Sequence, residues 1–175
     1  MILIIFILLS ACYGEDGKHL NIRKVFECPP ETDGDMQFAG EHYYYLYNYK
    51  SSDISELLSF AKKIKFPEDE ADHFYYFYRY HSSLPDTNNL QKKMVLKNQY
   101  DLEKEPGSLK NKDYLILGIS SLKAEVLNEK YYPRRVIFTK FINGKHEESY
   151  FHRDSLSGNL YPATYSQMFP CIKCE

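Results

Sequence analysis

HYYYLYNYKSS, residues 42–52, returns thirty-one residues later as HFYYFYRYHSS, residues 73–83. Successive side chains of a strand point to opposite faces, so each stretch divides cleanly. In the first, Tyr43, Tyr45, Tyr47 and Tyr49 share one face, and His42, Tyr44, Leu46, Asn48 and Lys50 share the other. In the second, Phe74, Tyr76, Tyr78 and Tyr80 stand against His73, Tyr75, Phe77, Arg79 and His81. Each stretch therefore reads as a strand with one wholly aromatic face.

What joins the two decides how they pair. In SSDISELLSFAKKIKFP, Asp53 and Glu56 have capping-box spacing and Pro67 closes the run, which predicts one amphipathic helix over residues 53–66. Ile54, Leu57, Leu58, Ala61 and Ile64 fall on a single stripe that must be buried against something. An aromatic face of the flanking strands is the nearest partner. The connection is long enough for a parallel crossover.

Outward from this unit, LNIRKVFE (20–27) reads as a strand, followed by a turn-rich stretch to Gly40. KKMVLKNQYDL (92–102) and DYLILGIS (113–120) read as strands, while SLKAEVLNEK suits either a strand or a short helix. Asn143-Gly144 supplies a two-residue hairpin turn. That turn sets Lys140 opposite Glu147, Val136 opposite Phe151 and Ile137 opposite Tyr150, so charge and apolar pairing agree. The tail from Asp154 to Glu175 reads as mostly irregular. The fold expected is α+β: an antiparallel or mixed sheet of five to seven strands carrying one helix, with a small closed β-barrel as the alternative.

The N-terminus, MILIIFILLSACYGEDG, is an apolar run too short to span a bilayer and reads as an export signal over residues 1–11. Leu9-Ser10-Ala11-Cys12 fits a bacterial lipobox, which would make Cys12 a lipid-bearing first residue and residues 12–19 a flexible tether. Cleavage after Gly14 is the alternative and gives a secreted protein. No asparagine lies in a glycosylation acceptor. Residues 20–175 are then one globular domain. In an oxidising compartment Cys28 is expected to bridge to Cys171 or Cys174.

Composition narrows the function. A net charge of −2, with both signs interspersed, argues against nucleic acid as partner. Seventeen Tyr and eleven Phe without a Trp favour half-buried surfaces or surfaces used for contact. The ladder residues Tyr43, Tyr45, Tyr47, Tyr49, Phe74, Tyr76, Tyr78 and Tyr80 are accordingly the candidate binding face. The other reading of the same residues is core, with hydroxyls reaching water at the rim.

Motifs for chemistry are weaker. His152-Arg153-Asp154 spells a kinase triplet without the glycine-rich loop or the metal-binding partner such an enzyme needs. The acidic runs Glu31, Asp33, Asp35 and Glu68, Asp69, Glu70, Asp72 lack calcium-loop spacing, and no metal or other cofactor is assigned. His42 and His73, with His81, Arg79 and a carboxylate such as Glu41 or Asp72, would suit acid–base hydrolysis if the sheet gathered them in a concave site. The function expected is an exported, non-catalytic binding protein, anchored to the envelope by lipid, that meets a peptide, glycan or protein. A small hydrolase and a structural envelope component are the alternatives.

Overall fold

The computed structural model describes residues 19–33, 36–82, 84, 114–127 and 130–169. In chain order these form β1 (Asn21–Cys28), a short pair β2 (Thr32–Asp33) and β3 (Met36–Gln37), β4 (Gly40–Tyr47), helix α1 (Ile54–Ala61) and β5 (His73–Arg79). There follow β6 (Leu115–Leu122), a second short pair β7 (Glu125–Leu127) and β8 (Lys130–Tyr132), β9 (Arg135–Ile142), β10 (Lys145–Arg153), β11 (Leu160–Ala163) and the helical turn α2 (Tyr165–Met168). The export signal, Cys12, the strand expected at 92–102 and the terminal cysteines lie outside the described residues, and with them the expected bridge from Cys28.

The two ladders, β4 and β5, pair in parallel, Tyr43 beside Tyr76, Tyr44 beside Phe77 and Tyr45 beside Tyr78. They sit inside one seven-stranded sheet of order β1-β4-β5-β6-β9-β10-β11, in which every other neighbouring pair is antiparallel. The fold is thus α+β with a mixed sheet. β1 and β11 are left as edges, so the sheet is open and the barrel alternative is excluded. The hairpin β9–β10 has the register its turn dictates: Lys140 opposite Glu147, Val136 opposite Phe151 and Ile137 opposite Tyr150. Asn143 and Gly144 hold φ of 51° and 74°, the left-handed pair that such a turn requires.

Helix α1 lies on the face that carries Tyr44, Leu46, Tyr75 and Phe77, not on the all-tyrosine face. Leu57 and Ala61 are fully buried there, and burial of a leucine of this kind stabilises by roughly 2 kcal/mol. The helix is shorter than the stripe implies. Lys62 keeps a helical bond from its N–H to the Leu58 carbonyl, and Lys63 and Ile64 then close the helix with tighter turns, N–H to the carbonyls of Phe60 and Ala61. Asp53 also acts earlier than its spacing suggests: its carboxylate accepts from the Lys50 N–H at 2.7 Å and closes a 3-10 turn over Ser51–Asp53.

The opposite face packs Tyr43, Tyr45 and Tyr78 with Val25 and Leu84. These three tyrosines are core. The rim expected for their hydroxyls is absent for Tyr78, whose buried hydroxyl finds no partner among the described residues; the same is true of Tyr75 on the helix side. Of the two readings of SLKAEVLNEK the structure takes the strand: Ser121 and Leu122 continue β6, and Glu125–Leu127 and Lys130 belong to the small β7–β8 pair. One departure has a local cause. The tail forms β11 against β10, with Pro162 tolerated because an edge strand needs no donor on its outer side.

Candidate functional site

Two places along the parallel pair collect chemistry-bearing side chains, one at each end. The first begins with a bulge. Lys24 stands opposite Tyr44 but Phe26 stands opposite Tyr43, so Val25 is an extra residue in β1. The shift turns Phe26 onto the tyrosine face and sets Glu27 directly across from His42.

The ladders are also staggered. His73 pairs with Gly40, not with His42, and His42 lies beside Tyr75. Its ring stacks on the Tyr75 ring with centroids 4.3 Å apart. The stagger brings His42 Nε2 to 3.1 Å from His73 Nδ1, with both residues buried, at 5% and 2% exposure. Gly40 is required beneath them, because a Cβ there would lie 2.4 Å from His73 Nδ1. His73 Nε2 in turn meets both carboxylate oxygens of Asp69, at 2.8 and 2.9 Å.

The loop that carries Asp69 is stapled by Arg134. Its guanidinium donates to the carbonyls of Asp69, Ala71 and Ser121 and to the Ser121 hydroxyl, and lies 3.7 Å from the Asp69 carboxylate. Burial pushes the Asp69 carboxyl up, but hydrogen bonds from His73 and the Ala71 N–H, with the Arg134 charge, outweigh it and hold the group below its ordinary range. Glu27 is held down first by its hydrogen bond from Lys24. Burial pulls His42 down to about 4, against the raising effect of Glu27, so at neutral pH its ring is uncharged.

A chain of donors follows. Asp69 accepts from His73 Nε2–H, His73 Nδ1 accepts from His42 Nε2–H, and His42 Nδ1 is left facing Glu27 Oε1 at 3.3 Å, without the alignment of a hydrogen bond. The arrangement resembles an acid–base relay in its bonding. No nucleophile joins it among the described residues, and the His42 ring is stacked on the core residue Tyr75.

The remaining sequence candidates go elsewhere. Glu41 accepts the Tyr43 hydroxyl and Asp72 accepts the Lys123 N–H at 2.7 Å. His81 stacks on Tyr114, and Glu68 pairs with Arg153. Burial first, with Glu41 and Glu31, pushes the Cys28 thiol up to about 12, which keeps it protonated. Arg79, grouped with the histidines in the sequence reading, is at the other end of β5. Asp69, Glu27 and Arg134 were not singled out as their partners. The spacing Asp69 to His73 was available as a signal, but the bulge that delivers Glu27 is not written in any local pattern.

The second place lies beyond the C-terminal ends of β4 and β5. Asn48 adopts φ of 60°, a turn that ends β4 at Tyr47 and moves Tyr49 off the tyrosine face onto the helix side. There Tyr49, Ile54, Leu115, Ile116, Phe141 and Ile142 wall a cavity of about 590 Å3, a size usual for ligand sites. Arg79, Lys145 and His146 join them with Ser51, Asn143 and Gly144, and no carboxylate is among the described lining residues. Nearby, Tyr80 is 46% exposed and stacks on Tyr47, over which Arg23 lies at 5.6 Å. Of the candidate binding face, then, Tyr43, Tyr45 and Tyr78 are buried, Tyr47, Tyr49, Phe74 and Tyr76 are half-buried, and Tyr80 is open.

No family model, curated protein or solved structure matches this chain.

Proposed function

We propose that this chain is an exported, non-catalytic binding protein, held at the cell envelope by a lipid on Cys12, that receives its ligand at the open end of the ladders. The supporting observation is the separation of its two chemistries. The cavity described is walled mainly by apolar and cationic side chains, with Ser51 and Asn143 between them, whereas the buried pair His42–His73, held by Asp69, lies at the opposite strand ends. An enzyme needs its proton-transfer groups within hydrogen-bond reach of bound substrate.

The test is turnover of ester, peptide and glycoside reporters by the wild type and by His73→Asn. The expected result is no turnover above background in either; hydrolysis that disappears in H73N would establish the hydrolase instead. The anchor is tested separately by the mass of the mature N-terminal peptide. A diacylated Cys12 supports the envelope assignment, and an unmodified start at Glu15 makes the protein a secreted one.

A further inference from the structure

The cations of the sheet are almost all employed. On its strands, Lys24 pairs with Glu27, Lys140 with Glu147 and Arg153 with Glu68. Arg23 lies over the Tyr47 ring, and Arg135 donates to the Met168 carbonyl and lies over the Phe169 ring. Arg79 and Lys145 are the exceptions. Among the described residues neither has a carboxylate partner or a ring beneath it, and both line the one cavity described above. They come from strands that are not neighbours, β5 and β10. Asp53, whose charge acts on the cavity residue Tyr49, is engaged by the Lys50 N–H and the Ser52 hydroxyl.

An unpaired guanidinium and ammonium beside apolar walls complement a carboxylate that carries an apolar body, and a guanidinium meets a carboxylate in fork geometry. The walls are not uniformly hydrocarbon. Ser51, Asn143 and the side-chain-free backbone of Gly144 interrupt them. Such an alternation suits a peptide, which presents amides between side chains, better than an alkyl tail.

We infer that the cavity binds the C-terminus of a peptide, with Arg79 and Lys145 on the terminal carboxylate and the wall of Ile54, Ile116 and Phe141 around an apolar last side chain. This rests on the binding reading above and names its ligand class. Tyr49 stands beside the same charge: burial first, then Asp53, raises its pKa, and Arg79 pulls it the other way.

The experiment is a 15N-edited NMR titration of the processed chain with acetyl-Ala-Leu-Phe as the free acid, with the same peptide amidated, and with decanoate. The free acid should move the amides of Tyr49, Ile116, Phe141 and Lys145 saturably and at least tenfold more tightly than the amide. R79Q combined with K145Q should abolish that difference and leave the weak binding of the amidated peptide in place. Raising the salt should weaken the free acid alone. Equal binding of acid and amide would overturn the carboxylate assignment and leave the binding reading standing. Tighter binding of decanoate than of the peptide acid would overturn the peptide and leave the cavity as a lipid site. No shift of these amides with any of the three would overturn the binding reading as well.

Discussion

At the N-terminal ends of β4 and β5 two histidines are sealed against each other. At the C-terminal ends of the same two strands Tyr80 is open to solvent and Arg79 has no carboxylate partner among the described residues. The strands are near copies of one another, so the contrast does not come from them. It comes from what each end meets. The first end is closed by three elements that lie outside the repeat: the bulged β1 with Glu27, the loop that presents Asp69, and Arg134 bound to three carbonyls. The second end meets a left-handed turn at Asn48 and the tip of the β9–β10 hairpin, which flank the strands without covering them. A repeated strand supplies aromatic area; its neighbours decide whether that area becomes core or wall.

If the first end is close-packed and the second is not, an added methyl group should be felt unequally. Gly40→Ala places a Cβ 2.4 Å from His73 Nδ1 and must displace a ring held by Asp69 and His42. Overpacking of this kind costs about 3 kcal/mol, visible as a lower urea midpoint with an unchanged slope. Gly144→Ala at the hairpin tip meets nothing within 4 Å and is opposed only by its φ of 74°, a cost of about 1 kcal/mol. Equal losses in the two variants would break the comparison.

A second consequence is pH dependence confined to the closed end. His42 has an ordinary pKa of 6.5 and is held at about 4 in the fold, with burial the leading cause. Between those values the unfolded chain binds a proton that the folded chain refuses. Stability from this group is therefore complete above pH 6.5 and is lost as the pH falls toward 4, by at most ~3 kcal/mol. The groups that face the ring are Glu27, Lys24, His73 and Asp69, and they are present in both proteins of the comparison. His42→Phe keeps the stack on Tyr75 and removes the titration. The difference between wild-type and H42F unfolding free energies should then shrink from pH 7 to pH 4; a difference independent of pH would show that His42 is not held neutral.

The legibility of the molecule follows the same division. Where the determinants are local, residues predict structure: Asn143-Gly144 dictates the whole β9–β10 register, and the Ile54–Ala61 stripe with its long connection gives the parallel crossover. Where they are non-local, periodicity misleads. Tyr49 continues the ladder's alternation in sequence, but the backbone of Asn48 breaks it, since an asparagine costs little in left-handed geometry and nothing else in the stretch announces the turn. β11 and the β7–β8 hairpin are short enough that pairing, not propensity, makes them. The histidines were visible as a pair because they are repeated. Their carboxylates were not, because a one-residue bulge and a loop staple select Glu27 and Asp69 over the adjacent Glu41 and Asp72.

The smallest expected effect is the sharpest test of the open end. Arg79 and Lys145 are exposed, have no described ion pair, and add like charges to one cavity. Replacing both by Gln should change the unfolding free energy by less than ~0.5 kcal/mol, the range usual for surface sites away from caps and networks. Lys140→Gln, which removes the ion pair with Glu147, should lower the urea midpoint more than the double variant does, although it is a single change. Two cations whose loss leaves the fold indifferent, while it abolishes discrimination between a peptide acid and its amide, have no structural duty and a binding one. A loss of more than ~1 kcal/mol in the double variant would reverse that inference: the charges would then be holding the strand ends together, and the open end would be built for the fold as the closed end is.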